Sequence, residues 1–162
     1  MMQTNSDPQR EFFRHTLATL AYRGGKTLHN VPSGFADFDG GHGLRTPSQI
    51  VCHLGDLLDW ALSIAQGQQT WQDSKSLPWD DEVKRFFAAL TKLDDFLSSA
   101  APVHVPLDKL FQGPIADALT HVGQIAFLRR MAGSPLKGEN YFRAEIAIGR
   151  VGPDQAAAKR ES

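Results

Sequence analysis

The 162-residue chain has the size and composition of one globular domain, with 41% hydrophobic and 22% charged residues. Its 17 Lys and Arg residues nearly balance 18 Asp and Glu residues, which argues against a basic surface for nucleic acid or a polybasic membrane segment. The single cysteine, Cys52, excludes an intrachain disulfide. A polar amino terminus without a secretory signal, and no apolar run of about 20 residues, predict a cytoplasmic protein.

The first predicted helix covers about residues 9–23, where apolar residues recur at helical spacing. Gly24 and Gly25 are expected to end it. Residues 26–45 form a long connection rich in Gly, Asp and His, and we expect no regular structure there. Connections of this length in a small domain are often functional, and a lid is one interpretation of this one.

The second predicted helix has the clearest local signals. Thr46 is a typical N-cap, Pro47 suits the first helical position, and Gln49 completes the pattern of a capping box. Apolar residues then form a stripe along the helix. Asp56 and Asp59 are expected to face water.

The third helix is predicted to begin near Pro78, with acidic residues in its first turn, and to end before Pro102. The fourth is predicted over residues 113–133, between Gly-Pro and Gly signals. A short fifth helix within residues 139–151 is a further prediction. No alternating strand pattern accompanies these helices.

These elements predict an all-α protein, a four-helix bundle with a long loop between its first and second helices. The bundle domain is expected to cover residues 9–152. A disordered amino-terminal segment, residues 1–8, and a flexible carboxyl-terminal tail, residues 153–162, are expected to flank it.

Two of the six histidines stand out as candidate metal ligands. His53 lies at the edge of the apolar stripe of the second helix, and His121 follows Asp117 by one helical turn. A shared cation would satisfy polar groups that otherwise cost about 1–3 kcal/mol each to bury. Spacing alone, however, favours a hydrogen bond between Asp117 and His121 on the helix surface and a structural role for His53. Gln124 is either a hydrogen-bonding partner of a ligand or a polar packing residue.

Three segments resemble the DinB/YfiT-like family. They are His53–Trp60 with the sequence HLGDLLDW, residues 121–133 with HVGQI followed by LRR and Gly, and residues 140–152 in the tail. Their order and spacing agree with that family over most of the chain. The resemblance implies a four-helix bundle that holds a divalent metal.

The resemblance also implies the ligand set, which is one His from the second helix and two residues from a later helix. These map to His53, Asp117 and His121. Many relatives have His where this chain has Asp117. Because Asp is a harder ligand that zinc, nickel, iron and manganese all accept, the identity of the metal stays open.

Several functions follow from the resemblance. Some relatives are thiol-dependent transferases or isomerases and others are proposed hydrolases, in which a metal lowers the pKa of a thiol or water. We therefore expect a metal-dependent transferase or hydrolase acting on a small molecule or thiol, with a general base that the sequence does not identify. The alternatives are a non-catalytic, stress-related binding protein with a structural or vestigial metal site, and a purely structural bundle. A homodimer is implied by resemblance only, and no nucleic-acid or membrane partner is expected.

Overall fold

The computed structural model describes residues 7–160, and these residues form helices and loops without a strand. The helices are α1 (Pro8–Leu28), α2 (Pro47–Ala65), α3 (Trp79–Ser98), the short α4 (Leu107–Leu110) and α5 (Ala116–Met131). The predicted all-α class is therefore confirmed. Within residues 7–160, no helix combines the length and the apolar character that a bilayer crossing requires.

The four long helices enclose one apolar core, because α1 and α2 each contact both α3 and α5. Each of these helices contributes fully buried side chains to the core, including Leu17, Leu54, Phe86 and Ile125. Burying a side chain of this size contributes about 1.5–3 kcal/mol, so the core is the main source of stability. The arrangement also turns one face of α2 toward α5.

The prediction that Gly24 and Gly25 end the first helix is wrong, because α1 continues to Leu28. A Cβ atom at Gly24 would lie 2.7 Å from Cζ of Phe86, and one at Gly25 would lie 3.4 Å from Cζ of Phe87. Both aromatic rings belong to α3. Gly24 therefore permits close packing of α1 against α3, a role that outweighs its weak helix propensity, whereas a Cβ atom at Gly25 would make an ordinary van der Waals contact.

The connection between α1 and α2 is more ordered than its composition predicts. It contains a short 3-10 turn, Phe35–Asp37, in which Phe35 is buried and packs edge-on against Trp79 with ring centroids 5.7 Å apart. Arg129 of α5 is buried where this connection leaves α1. It donates hydrogen bonds to the carbonyl oxygens of Thr27, His29 and Asn30. Arg129 thereby satisfies backbone groups that the end of α1 leaves unpaired.

The amino terminus of α2 follows the prediction. Oγ1 of Thr46 accepts a hydrogen bond from the backbone N–H of Gln49 at 3.3 Å, and Oε1 of Gln49 accepts one from the backbone N–H of Thr46 at 2.9 Å. Pro47 is the first helical residue. The predicted capping box is confirmed, and it fixes the start of the helix that carries His53.

The fourth predicted helix begins earlier than expected. α4 starts at Leu107 and continues through a π-helical turn, Phe111–Ile115, into α5. Pro114, which was expected near the start of the helix, lies inside this turn. A π-helical turn breaks the regular bonding pattern of an α-helix, so it tolerates a residue without an N–H group. In residues 139–151, the predicted fifth helix is only a 3-10 turn, Tyr141–Arg143.

The predicted terminal segments are described in part. Residues 1–6 and 161–162 lie outside the described residues. Asp7 caps α1 by accepting a hydrogen bond from the backbone N–H of Gln9 at 3.0 Å, and Pro8 is already helical. In the tail, the carbonyl oxygen of Lys159 accepts a hydrogen bond from the backbone N–H of Asn140 at 3.1 Å.

Candidate metal centre

His53 of α2 and the pair Asp117 and His121 of α5 meet where the two helices face each other. Nε2 of His53 lies 3.7 Å from Oδ2 of Asp117, and Nε2 of His121 lies 3.4 Å from Oδ1 of Asp117. One donor atom from each residue lies within 4.8 Å of the other two. The structure thus brings together all three residues that the sequence singled out, and this group could hold a metal ion.

The distances within this group are longer than those of good hydrogen bonds. Good N–H···O hydrogen bonds span about 2.7–3.2 Å. Ligand atoms at about 2.0–2.1 Å from a tetrahedral metal lie about 3.4 Å from one another. The separations of 3.4 and 3.7 Å around Asp117 are close to that spacing, and the donor atoms of the whole group lie within 4.8 Å of one another.

Gln124 orients the ring of His121. Oε1 of Gln124 lies 2.7 Å from Nδ1 of His121. Because a carbonyl oxygen can only accept, Nδ1 carries the proton and donates. The lone pair of the neutral ring is then on Nε2, the atom that faces Asp117. A ligand histidine needs this tautomer, and its outer nitrogen usually has such a partner.

His53 is half-buried and has an environment that favours its neutral form. Its ring centroid lies 4.8 Å from that of His121 and 5.7 Å from that of Trp71. Burial lowers the pKa of His53 below its ordinary value, and the electrostatic influence of Arg45 and His121 adds to this effect against the opposing influence of Asp117. Neutral imidazole is the form that coordinates a metal.

The centre is open on one side. The side chain of Asp117 is 48% exposed. A cavity of about 630 Å³ lies beside His121, and another of about 390 Å³ lies beside His53. Arg45 lines both cavities. Three protein ligands with an accessible fourth position are typical of catalytic rather than closed structural metal sites.

A second polar cluster adjoins the site on α2. Asp56 is buried and accepts hydrogen bonds from the backbone N–H of Ser74 at 3.0 Å, the Ser74 hydroxyl at 2.6 Å and Nη2 of Arg85 at 2.6 Å. We call Asp56, Ser74 and Arg85 the carboxylate clasp. The expectation that Asp56 faces water is wrong, whereas Asp59 is exposed and also accepts from Arg85 at 3.0 Å.

The carboxylate clasp holds the segment that covers His53. Besides its bonds to Asp56, Ser74 accepts a hydrogen bond through its carbonyl oxygen from Sγ of Cys52 at 3.4 Å. Shortly before Ser74, the ring of Trp71 packs edge-on against His53 and against Trp60, with centroids 5.7 and 5.6 Å away. The clasp therefore fixes the aromatic side of the site.

Sequence reasoning missed Trp71 and Arg45 as neighbours of the site. Both lie in connections, whose path depends on tertiary contacts rather than on periodicity. One signal was present for Arg45: it is the only Lys or Arg between residues 27 and 74, and it directly precedes the N-cap of the helix that carries His53. Trp71 had no comparable signal.

The chain's own residues supply the features expected of a metal centre. Two helices supply two imidazoles and one carboxylate, an amide orients one imidazole, and two cavities flank the group. No protein-family model, curated protein or solved structure matches the chain.

Proposed function

We propose that the chain is a DinB/YfiT-like four-helix bundle that binds one divalent metal ion through His53, Asp117 and His121. We further propose that it is a metal-dependent transferase or hydrolase that activates a thiol or water against a small molecule. The observation that carries the proposal is the convergence of three donor atoms, from helices remote in sequence, to within 4.8 Å of one another.

The donor set fits a divalent cation of the first transition row. Two imidazoles and one carboxylate occur as ligands of catalytic zinc and of non-haem iron, and nickel and manganese accept the same atoms. The hydrogen bond from Nδ1 of His121 to Gln124, which leaves Nε2 as the coordinating atom of the neutral ring, supports this assignment. So does the lowered pKa of His53, which burial causes first and nearby positive charge second.

The chemistry follows from the open side of the site. When bound, a divalent cation would lower the pKa of a coordinated thiol or water and supply a nucleophile near neutral pH. The chain's own contribution is orientation: α2 and α5 fix the imidazoles, and Trp71 covers one flank of His53. The cavity beside His121 leaves room for a small molecule next to the reacting position.

Metal binding is tested with the purified chain by elemental analysis and by titration of metal-free protein with zinc, nickel, manganese and ferrous ions. We expect about one ion per chain in wild type. His53→Ala should weaken binding by at least about 100-fold, because it removes one of three ligands. His15→Ala, which removes an exposed histidine of α1, is the matched control and should bind as wild type does. Wild-type binding by the His53→Ala variant would refute the ligand set.

Turnover is tested separately on the metal-loaded chain. Electrophiles offered with low-molecular-weight thiols examine transfer, and ester and amide substrates examine hydrolysis. Activity that a chelator abolishes and added metal restores would support the enzyme. Stoichiometric metal without turnover of any of these substrates would contradict the enzymatic part and favour a non-catalytic binding protein.

A further inference from the structure

We propose that the open side of the candidate metal centre selects a small amphipathic carboxylate, and that Arg45 is the residue that pairs with the carboxylate. The inference rests on the proposed function, because it assigns a substrate class to that same site. Three features carry it: the position of Arg45, the balance of charge around it, and the apolar wall next to it.

The side chain of Arg45 lies at the rim of the site, where two cavities meet it. It lines the cavity beside His121 and the cavity beside His53. Its side chain is exposed, and among residues 7–160 no carboxylate forms an ion pair with it. A guanidinium in this position offers two parallel N–H donors, which match the geometry of a carboxylate.

The charge balance around the site favours an anion. A divalent cation held by neutral imidazoles and Asp117 leaves one net positive charge, and Arg45 adds a second. Asp56 and Asp59 bind Arg85 at 2.6 and 3.0 Å, and among the described residues no carboxylate lines the cavity beside His121 that Arg45 lines. A cleft lined by one sign of charge concentrates ligands of the opposite sign.

The wall next to Arg45 favours an apolar group on the same ligand. The cavity of about 630 Å³ is lined by the apolar side chains of Leu44, Ile50, Phe127 and Leu128. Phe127 is 61% exposed and Leu44 is 51% exposed, so a ligand could remove apolar surface from water here. The wall is held in place because the loop lies against α5, where a Cβ atom at Gly40 would be only 3.1 Å from Cδ2 of Leu128.

The same cavity favours a carboxylate over a phosphate. Of the described residues that line it, Arg45 is the only charged one. One guanidinium pairs with the two oxygens of one carboxylate, whereas phosphate carries more charge and more acceptor oxygens than the single Arg of this cavity satisfies. The ligand therefore presents one carboxylate to Arg45, an apolar body to the wall, and a third group that coordinates the metal.

The proposal is tested with cobalt(II)-loaded protein and two thiols of equal length, mercaptopropionate and mercaptopropanol. Binding is followed by the thiolate-to-cobalt absorption band. We expect wild type to bind the acid about tenfold more tightly than the alcohol, because only the acid forms the charge-assisted pair. Arg45→Gln should abolish this preference, and Arg45→Lys should retain part of it. Lys75→Gln, which removes a cation from the rim of the other cavity, is the matched control and should keep the full preference.

A second arm tests the apolar wall with mercaptohexanoate, which should bind wild type more tightly than the shorter acid. Phe127→Ser should remove this gain without changing the preference for acid over alcohol. Equal affinities for acid and alcohol in wild type, or a preference that survives Arg45→Gln, would overturn the role of Arg45. Failure of the proposed function has a different signature, because wild type would then not bind cobalt(II) and would lack its visible spectrum. Arg45→Gln itself should still take up about one cobalt(II) ion per chain and show its visible spectrum, because all three ligands remain.

Discussion

His53 and Asp56 lie three residues apart on α2, but they belong to polar clusters of opposite character. In the carboxylate clasp, Asp56 accepts hydrogen bonds of 2.6–3.0 Å from Ser74 and Arg85. In the candidate metal centre, the atoms of His53 and Asp117 that face each other are 3.7 Å apart. The groups of the first cluster bond to one another and stabilise the fold, whereas those of the second lie farther apart than a good hydrogen bond and could hold a metal ion.

The largest expected effect on folding comes from breaking the clasp. Asp56→Asn should lower the free energy of unfolding by about 2–3 kcal/mol, because Arg85 loses its buried acceptor and Ser74 loses a charged one. Denaturant unfolding of the metal-free chain measures this. Asp59→Asn is the matched control: its carboxylate contacts the same Arg85 but is half exposed, so the loss should stay below about 1 kcal/mol. Equal losses in the two variants would contradict the comparison.

Asp117→Asn should weaken metal binding but leave the stability of the fold almost unchanged, the opposite of Asp56→Asn. We expect metal affinity to fall about 100-fold, or about 2.7 kcal/mol, because a neutral amide replaces the one anionic ligand. The free energy of unfolding of the metal-free chain should change by no more than about 0.5 kcal/mol, since the side chain is half exposed. Metal titration and denaturant unfolding together test this. A variant that kept its metal affinity but lost stability would place Asp117 with the clasp.

Gln124→Leu should weaken metal binding about tenfold, because nothing would then hold the proton on Nδ1 of His121. Gln124→Glu supplies a carboxylate that can accept the same hydrogen bond and should retain near wild-type affinity. Competition with a chromophoric chelator measures both variants. Equal affinity of Gln124→Leu and wild type would show that the amide only packs against the helix.

The smallest expected effect is on the pH dependence of stability, and it tests the contribution of the carboxylate clasp directly. Burial by itself raises the pKa of Asp56, but hydrogen bonds from Ser74 and Arg85 outweigh it, so the pKa lies below the ordinary value of 3.8. A lowered pKa in the folded state means that the carboxylate stabilises the fold above about pH 4 and that this contribution is lost at lower pH. The gap in unfolding free energy between wild type and Asp56→Asn should therefore be constant from pH 7 to about pH 4 and narrow below it. A gap that widened on acidification would contradict the sign of the shift.

The sequence was most informative where the signal is local. The all-α class and the capping box of α2 follow from periodicity and from residues within one helical turn. The pairing of Asp117 with His121 is equally local, because i and i+4 share a face. That His53 joins them required the resemblance, since no local rule brings α2 to α5.

The features that the sequence did not predict depend on contacts between residues far apart in the chain. Asp56 is buried because it binds Ser74 and Arg85, which lie 18 and 29 residues later in the chain. The spacing of residues within α2 gives no sign of these two partners. Gly24 was predicted to end a helix, because the sequence does not reveal that Phe86 of another helix packs directly against it. A glycine that stops a helix and one that lets another helix approach have the same local sequence.

The π-helical turn Phe111–Ile115 sets the rotation of α4 relative to α5 around their common axis. A π-helical turn contains one more residue per hydrogen-bonded ring than an α-helical turn, and one residue corresponds to about 100° of rotation around the axis. Asp117 lies only two positions after the last residue of this turn. Without the extra residue, the two segments would be rotated by about a quarter of a revolution relative to each other, so Leu110 could not stay buried while Asp117 and His121 faced His53. The proline-containing turn thus lets α4 pack into the core without turning the ligand pair away from α2.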